Sequence, residues 1–258
     1  MNKKTQDTSW GKVAGWYKDH LEEDDTYHNK VVGPNLLRMM DVKPTDFVAE
    51  LGCGEGFFTR QIAKLAKKTI GLDLGAELIA LAEKKKIEAE IKSDLSYVVA
   101  SADKTDLPDN YFDKVLIVLA LQNMKDLNGV ILEVSRILKK SGTAYIVLNH
   151  PNFRIIGQSS WQFDNEKKVQ FRRVDSYMTE STNKIDMAPG SKKQEKITFS
   201  FHRPLQVYFK AFQKFDLSVI RLEEWISHKK SEKGTRQLAE DVARKEFPLF
   251  MTLELRKN

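Results

Sequence analysis

Cysteine is nearly missing from this chain. Cys53 stands alone among 258 residues, so no intrachain disulfide can form and the core must hold the structure. Long apolar runs are missing as well. No stretch of roughly 18 apolar residues is available to span a bilayer, and no apolar run follows Met1 as a secretory leader would require. These absences predict a soluble, cytoplasmic protein, long enough for one full core with an insertion. Several chemistries lack their residues. There is no H-E-x-x-H helix and no paired cysteine site, which leaves a metal without ligands. Neither Gly-x-Ser-x-Gly nor a Gly-Lys-Ser/Thr loop occurs, so serine hydrolysis and nucleoside-triphosphate hydrolysis have no machinery. A net charge of +6 raises the question of nucleic acid. The lysines come in short clusters, such as Lys67 with Lys68 and Lys84 with Lys85 and Lys86. They fall on outer helix faces or helix C-termini, where they complement the dipole. No basic stripe is interleaved with aromatics, so a solvated surface is expected rather than a nucleic-acid footprint.

What is present is concentrated in one short stretch. Glu50, Leu51, Gly52, Cys53, Gly54, Glu55 and Gly56 follow the apolar run Phe47, Val48, Ala49 and open a helical pattern. Glycine loses more backbone freedom on folding than any other residue, so three at alternate positions predict unusual φ angles or a ligand touching the backbone. The amides that follow sit at a helix N-terminus, which attracts negative charge. Glu50 ends the strand and is expected to point a carboxylate into the same crevice. It would repel a pyrophosphate and welcome an ammonium group. The dinucleotide fingerprint G-x-G-x-x-G also fails, because Phe57 holds the place of its last glycine. Cys53 lies inside a loop shaped to present backbone, which argues against a catalytic thiol.

The context continues at the expected distances. Residues 68–73 read as a second strand ending in Asp73, and an acid about 20 residues past the first glycine can accept from ribose hydroxyls. Asp73 can also cap the helix expected over 75–85, and the two roles are compatible. A third strand over 97–100 leads to Ser101, Ala102, Asp103 and a turn before Pro108; a fourth covers 112–119. The acid-x-G-x-G-x-G pattern and these loops resemble the class I S-adenosylmethionine-dependent methyltransferases over roughly 31–149. That resemblance implies an α/β, doubly wound, Rossmann-like sheet of seven mostly parallel strands whose last strand enters antiparallel. It implies S-adenosyl-L-methionine as cofactor, held by Glu50, Gly52, Cys53, Gly54, Gly56, Asp73, Leu74, Ala102, Asp103 and Leu119. The Asp103 side chain would take the adenine amine. Tyr17 would cap the methionine end, with core packing as its other reading.

Four regions are expected: a helical lead-in over 1–44, a cofactor-binding core over 45–149, an insertion over 150–203, and a return to the sheet over 204–258. In the lead-in, Gly33 and Pro34 interrupt only the start of a helix over 31–40. An amphipathic helix over 127–139 should stop at Ser141 and Gly142, before a fifth strand over 143–148. A helix over 204–215 has proline in its first turn, and strands over 217–222 and 249–255 close the chain. The insertion is long for a connection and mixes polar residues with Trp161, Phe163, Phe171, Phe199 and Phe201. It reads as a cap over a pocket, or else as an appendage or oligomer contact. It is bracketed by Asn149, His150, Pro151, Asn152, Phe153, Arg154 and by Phe201, His202, Arg203, Pro204, runs that resemble a bacterial group of capped small-molecule methyltransferases.

In the resembled family the protein mainly aligns the acceptor and excludes water. A base is needed only where the acceptor must lose a proton. His150, after the fifth strand, is where one could stand; a turn-forming hydrogen bonder is its other reading, and His28 and His202 are further candidates. No Asn/Asp-Pro-Pro-Tyr/Phe follows the fourth strand, where Leu119, Ala120, Leu121, Gln122, Asn123 and Met124 stand. Base and glutamine amino methylation therefore lack their motif. No Pro-Cys pair serves cytosine C5, and no acid after the fourth strand supports ribose methylation. A small-molecule acceptor is expected, moderately apolar given the aromatic insertion. An RNA methyltransferase and a non-catalytic cofactor-binding partner protein are the alternatives. Oligomeric state is left open.

Overall fold

A computed structural model describes residues 25–186 and 197–258. Tyr17 lies outside the described residues, with the rest of 1–24. From Phe47–Leu51 (β1) onward strands alternate with helices: Phe57–Ala63 (α2), Lys68–Asp73 (β2), Ala76–Glu88 (α3), Asp94–Val99 (β3), Phe112–Val118 (β4), Leu127–Ile137 (α4) and Leu138–Asn149 (β5). Before them, a π-helical turn His28–Val32 runs into Gly33–Met40 (α1). Strands Leu217–Trp225 (β10) and Phe250–Lys257 (β11), with helices Leu205–Lys214 (α5) and Gln237–Glu246 (α6), complete the main body. The seven sheet strands lie in the order β10, β11, β5, β4, β1, β2, β3. Only β11 runs against its neighbours, antiparallel to both β5 and β10.

The central strands are buried on both faces, as crossover helices require: Val48, Ala49, Leu51, Val115 and Leu116 are shut off from solvent. Helix α4 begins where Asp126 accepts from Gly129 N at 2.9 Å, an N-cap stabilisation of about 1 kcal/mol. It buries Val130, Ile131, Val134 and Ile137 against the sheet. The helix ends two residues before the expected 139, because Leu138 turns extended and pairs with Phe112. Ser141 and Gly142 therefore do not stop a helix. They lie inside β5, where the register shifts between the pairs Phe112–Leu138 and Lys114–Thr143 and Ser141 takes φ +63. The expected first-turn proline, Pro204, is instead the extended residue before α5.

Residues 150–203 leave the sheet after β5. Their described residues form two separate antiparallel hairpin pairs, Ser159–Asp164 (β6) with Val169–Val174 (β7) and Ser181–Asp186 (β8) with Ile197–His202 (β9). The described part of the lead-in, 25–44, docks on the C-terminal strands: Tyr27 meets Phe250 edge-on at 5.8 Å, Arg221 donates to the Met39 carbonyl at 2.8 Å, and Arg38 pairs with Glu223.

Candidate functional site

The C-terminal ends of β1, β2, β3 and β4 open into a cavity of about 980 Å³, near the upper end of the roughly 300–1,000 Å³ typical of small-ligand sites. Glu50, Gly52, Cys53, Gly54, Asp73, Leu74, Ala102, Asp103 and Leu119 all line it; Gly56 and His150 do not.

The three glycines share positive φ, at +73, +56 and +77 for Gly52, Gly54 and Gly56, but they do three different jobs. A Cβ on Gly52 would lie 2.8 Å from both Ala120 Cβ and Met124 Cε, so that glycine lets the loop after β4 close in. A Cβ on Gly56 would overlap the Tyr97 hydroxyl and lie 2.7 Å from Tyr97 Cζ; this glycine serves packing beneath the loop. A Cβ on Gly54 would meet nothing within 4 Å. Open space above a backbone held at positive φ is the cradle that a cofactor pressed against the main chain needs, and the loop fits one.

Asp73, at the tip of β2, accepts from Gly54 N at 2.9 Å and from Gly75 N at 2.8 Å. It ties the glycine loop to the turn before α3, and each oxygen keeps a lone pair for a ligand hydroxyl. Burial raises its pKa, against the three backbone amides that lower it. Glu50 is almost wholly enclosed and accepts from the Thr59 hydroxyl of α2. Burial pushes its carboxyl up from the ordinary 4.5 to about 8, so at neutral pH it holds a proton. Glu55 is also buried and pairs with Lys85 at 2.8 Å and Arg60 at 3.3 Å, joining α3 to α2 under the loop. Burial pushes the Cys53 thiol well above its usual range, with the Glu50 and Asp73 charges adding to it; a thiol so held is inert.

On the β3 side, Asp103 stands at the solvent edge of the cavity and accepts from the Ser101 hydroxyl. Behind it Thr105 donates through both backbone N, at 2.8 Å, and hydroxyl, at 2.5 Å, to Glu133 of α4. Leu119, just past β4, sits at φ +54, a conformation that costs a non-glycine residue about 1–2 kcal/mol. Its backbone N reaches Val147 O at 2.8 Å and its carbonyl receives Gln122 Nε2 at 2.7 Å. The strain is held where β4 opens into the cavity, as strained backbone often is.

The remaining wall comes from distant parts of the chain: His28 from the lead-in, Phe57 and Phe58 from the start of α2, Asn123, Met124 and Lys125 after β4, and Phe199 from β9. Ser200 lies 3.5 Å from the Gln122 carbonyl, and Arg203, buried just past β9, donates to the Met124 and Lys125 carbonyls at 2.8 Å each. Hairpin β8–β9 is thereby fastened to the loop after β4. The other hairpin sits elsewhere: Trp161 meets Phe247, past the end of α6, at 5.3 Å and 86°, and Arg236 lies over Phe163 at 4.5 Å.

The histidines divide differently from expectation. His150 is buried, its Nε2 2.7 Å from Glu224 Oε1 and its Nδ1 accepting from Asn152 N at 3.2 Å. One nitrogen is committed to the turn after β5 and the other to β10, and the structure does not bring this residue to the cavity. His202 holds the Tyr177 carbonyl at 2.7 Å and is likewise no part of the lining. His28, one of the two further candidates in sequence, lines the cavity. Phe57 and Phe58 went unremarked as site residues, although their position right after the last glycine was available as a signal. Among the described residues no group of His, Cys, Asp or Glu could hold a metal, and no helix is long and apolar enough to cross a membrane.

Known proteins share these features. A family model described as "Methyltransferase domain" matches residues 49–146. A demethylmenaquinone methyltransferase from Lactobacillus johnsonii is 29% identical over 150 residues, 55% of this chain and 62% of the relative. A ubiquinone/menaquinone biosynthesis C-methyltransferase from Rickettsia bellii is 33% identical over 101 residues, 37% of this chain and 41% of the relative. The matches thus span less than two thirds of these curated relatives. A crystal structure of an S-adenosylmethionine dependent methyltransferase from Mesorhizobium loti superposes with a TM-score of 0.71 at 25% identity, covering 91% of this chain and 99% of that one. With the strand order, the single antiparallel strand and the glycine cradle, these likenesses lead to one conclusion: residues 49–146 match a methyltransferase domain, in a chain that has the fold of the class I S-adenosylmethionine-dependent methyltransferases.

Proposed function

We propose that this protein transfers a methyl group from S-adenosylmethionine to a small, moderately apolar acceptor. One observation carries the proposal: a single cavity has a backbone-and-carboxylate end on the β1, β2 and β3 side and an aromatic end that the insertion helps to build. A cofactor alone would need the first and has no use for the second. The quinone-pathway methyltransferases among the relatives act, by their names, in that kind of chemistry, which supports an apolar acceptor here.

Within this reading, Gly54 offers backbone, Asp73 accepts from ribose hydroxyls, and Asp103 and Ala102 meet the adenine. Leu74 and Leu119 flank the cofactor, and Gly52 and Cys53 complete the loop. Bound S-adenosylmethionine supplies an electrophilic methyl on a sulfonium, so the protein's task is alignment and exclusion of water. Alignment of two bound partners can remove roughly 7–11 kcal/mol of barrier. Glu50 gives up its proton when a cationic ammonium enters beside it, because the new charge offsets the burial that holds the proton on. The apolar wall keeps water from the reacting atoms, and hairpin β8–β9 covers the acceptor end.

Calorimetric titration with S-adenosylmethionine, S-adenosylhomocysteine and NAD tests the reading. Micromolar binding of the first two, with no response to NAD, is expected. Proton release on binding near pH 7 should be present in the wild type and absent in Glu50→Gln. Binding of NAD alone would reject the methyltransferase assignment. Transfer of isotope-labelled methyl to quinols, phenols or amines would then establish turnover, and binding without any transfer across the panel would favour a non-catalytic partner protein.

A further inference from the structure

His28 occupies an unusual position for a polar side chain. It lines the cavity, yet among the described residues neither of its ring nitrogens has a hydrogen-bond partner. Its ring stacks on Phe58 at 5.4 Å with 29° between the planes and meets Phe57 edge-on at 5.7 Å. The backbone fixes it from below. The π-helical turn brings Gly33 N to the His28 carbonyl, and a Cβ on Gly33 would come within 2.9 Å of that oxygen. Glycine at position 33 therefore allows the close approach that seats His28 against the N-terminal turn of α2. The sequence had placed Gly33 as a mere interruption at a helix start. Burial lowers the imidazole to about 4, so at neutral pH it presents a free lone pair.

His28 is half-buried, and a ligand that closes over its ring nitrogens must supply the hydrogen-bond partner that solvent otherwise gives. A neutral imidazole accepts a hydrogen bond from an O–H and cannot repel a cationic cofactor nearby. The faces beside it are aromatic, and rings packed on rings contribute roughly 0.5–1.5 kcal/mol beyond simple burial.

We infer that His28 receives the hydroxyl of the methyl acceptor, and that the acceptor is a hydroxylated aromatic ring lying against Phe57 and Phe58. The inference rests on the methyltransferase reading above and names its acceptor class. In transfer to such an oxygen, the O–H bond breaks and its proton passes to the His28 nitrogen. The oxygen's electron pair forms the bond to the methyl carbon, and the old carbon–sulfur pair stays on sulfur. A weak base suffices, because the hydroxyl becomes far more acidic as the methyl arrives.

The test compares 2-naphthol with 2-methylnaphthalene, which has the same ring and no hydroxyl, titrated into wild type and His28→Phe with and without saturating S-adenosylhomocysteine. The phenylalanine keeps the aromatic packing and removes the nitrogens. Wild type is expected to prefer the naphthol by about tenfold, the worth of one good hydrogen bond. His28→Phe should lose that preference while binding S-adenosylhomocysteine within about twofold of wild type. His28→Leu is the second replacement should phenylalanine disturb the fold, and it should lose the preference too. A preference that survives in either variant overturns the inference, as does a wild type that ignores the hydroxyl or binds neither ring. Failure of S-adenosylhomocysteine to bind wild type would instead sink the methyltransferase reading, and the naphthol comparison without it would still judge His28.

Discussion

The two ends of the cavity are built in different ways. The glycine-loop end comes from one contiguous stretch, 50–56, and from the tips of β2, β3 and β4, all within a stretch that alternates strand and helix regularly. Its working surface is largely main chain, so short-range sequence governs it. The aromatic end joins Phe57 and Phe58, right after the glycine loop, to His28, Met124 and Phe199, which are far away along the chain and meet them only because the segment before α1, the loop after β4 and hairpin β8–β9 dock where they do. Backbone sites can be read from glycine and acid spacing, whereas side-chain sites need the docking of elements. Members of one family can therefore share the first end and differ at the second.

The sharpest break of this comparison lies within the glycine loop. Gly56→Ala drives a methyl group into Tyr97 at positive φ and should cost about 3 kcal/mol or more, read as a large drop in thermal midpoint or a failure to fold. Gly54→Val has only the backbone penalty in the free protein, since its Cβ meets nothing. It should stay folded and lose S-adenosylhomocysteine binding by at least a hundredfold. If Gly54→Val unfolds and Gly56→Ala does not, the division of labour between these glycines is wrong.

At the far end, Arg203→Met removes two charge-assisted bonds to the Met124 and Lys125 carbonyls. A loss of about 3 kcal/mol in denaturant unfolding is expected, with acceptor binding hit harder than cofactor binding. Equal loss of both would show that the ends are not separable. Asp73→Ala should weaken S-adenosylhomocysteine roughly tenfold or more, through the ribose contacts and the untethered Gly54 amide; unchanged affinity would take Asp73 out of the site.

The last test is a pH dependence. Glu50 titrates near 4.5 when unfolded and at about 8 in the fold. Between those values the folded state holds a proton that the unfolded state has released, so stability falls as pH rises from about 5 to 8. Glu50→Gln should flatten that slope in the free protein, while Glu133, brought to about 2 by Arg136 and Thr105 against the opposing effect of burial, gives stability that is lost as pH falls from about 4.5 toward 2. Thermal midpoints measured across pH on both proteins separate the two; a Glu50→Gln profile parallel to wild type would mean that Glu50 is already ionised.

Much of the glycine-loop end was legible because its signals are local. The glycine spacing, Asp73 and the strand alternation each state a backbone requirement within a few residues. The misreadings have physical causes. Gly56 looks like its two neighbours in sequence, but Tyr97 lies 41 residues away and decides its role through contact. Ser141 and Gly142 look like a helix stop, yet the pull of β4 on Leu138 ends the helix earlier. His150 left two readings open, a base or a turn-forming hydrogen bonder, and contacts with Glu224 from β10 and with Asn152 N hold it.

By itself, then, the sequence determined the doubly wound sheet, the glycine loop and the acid that tethers it, because each follows from the conformational limits of a few adjacent residues. The tertiary structure alone decided which histidine faces the cavity, which hairpin contributes to its wall and which glycine has open space above it. Those outcomes depend on contacts between segments far apart in the chain, where packing and burial, rather than local propensity, set the lower free energy.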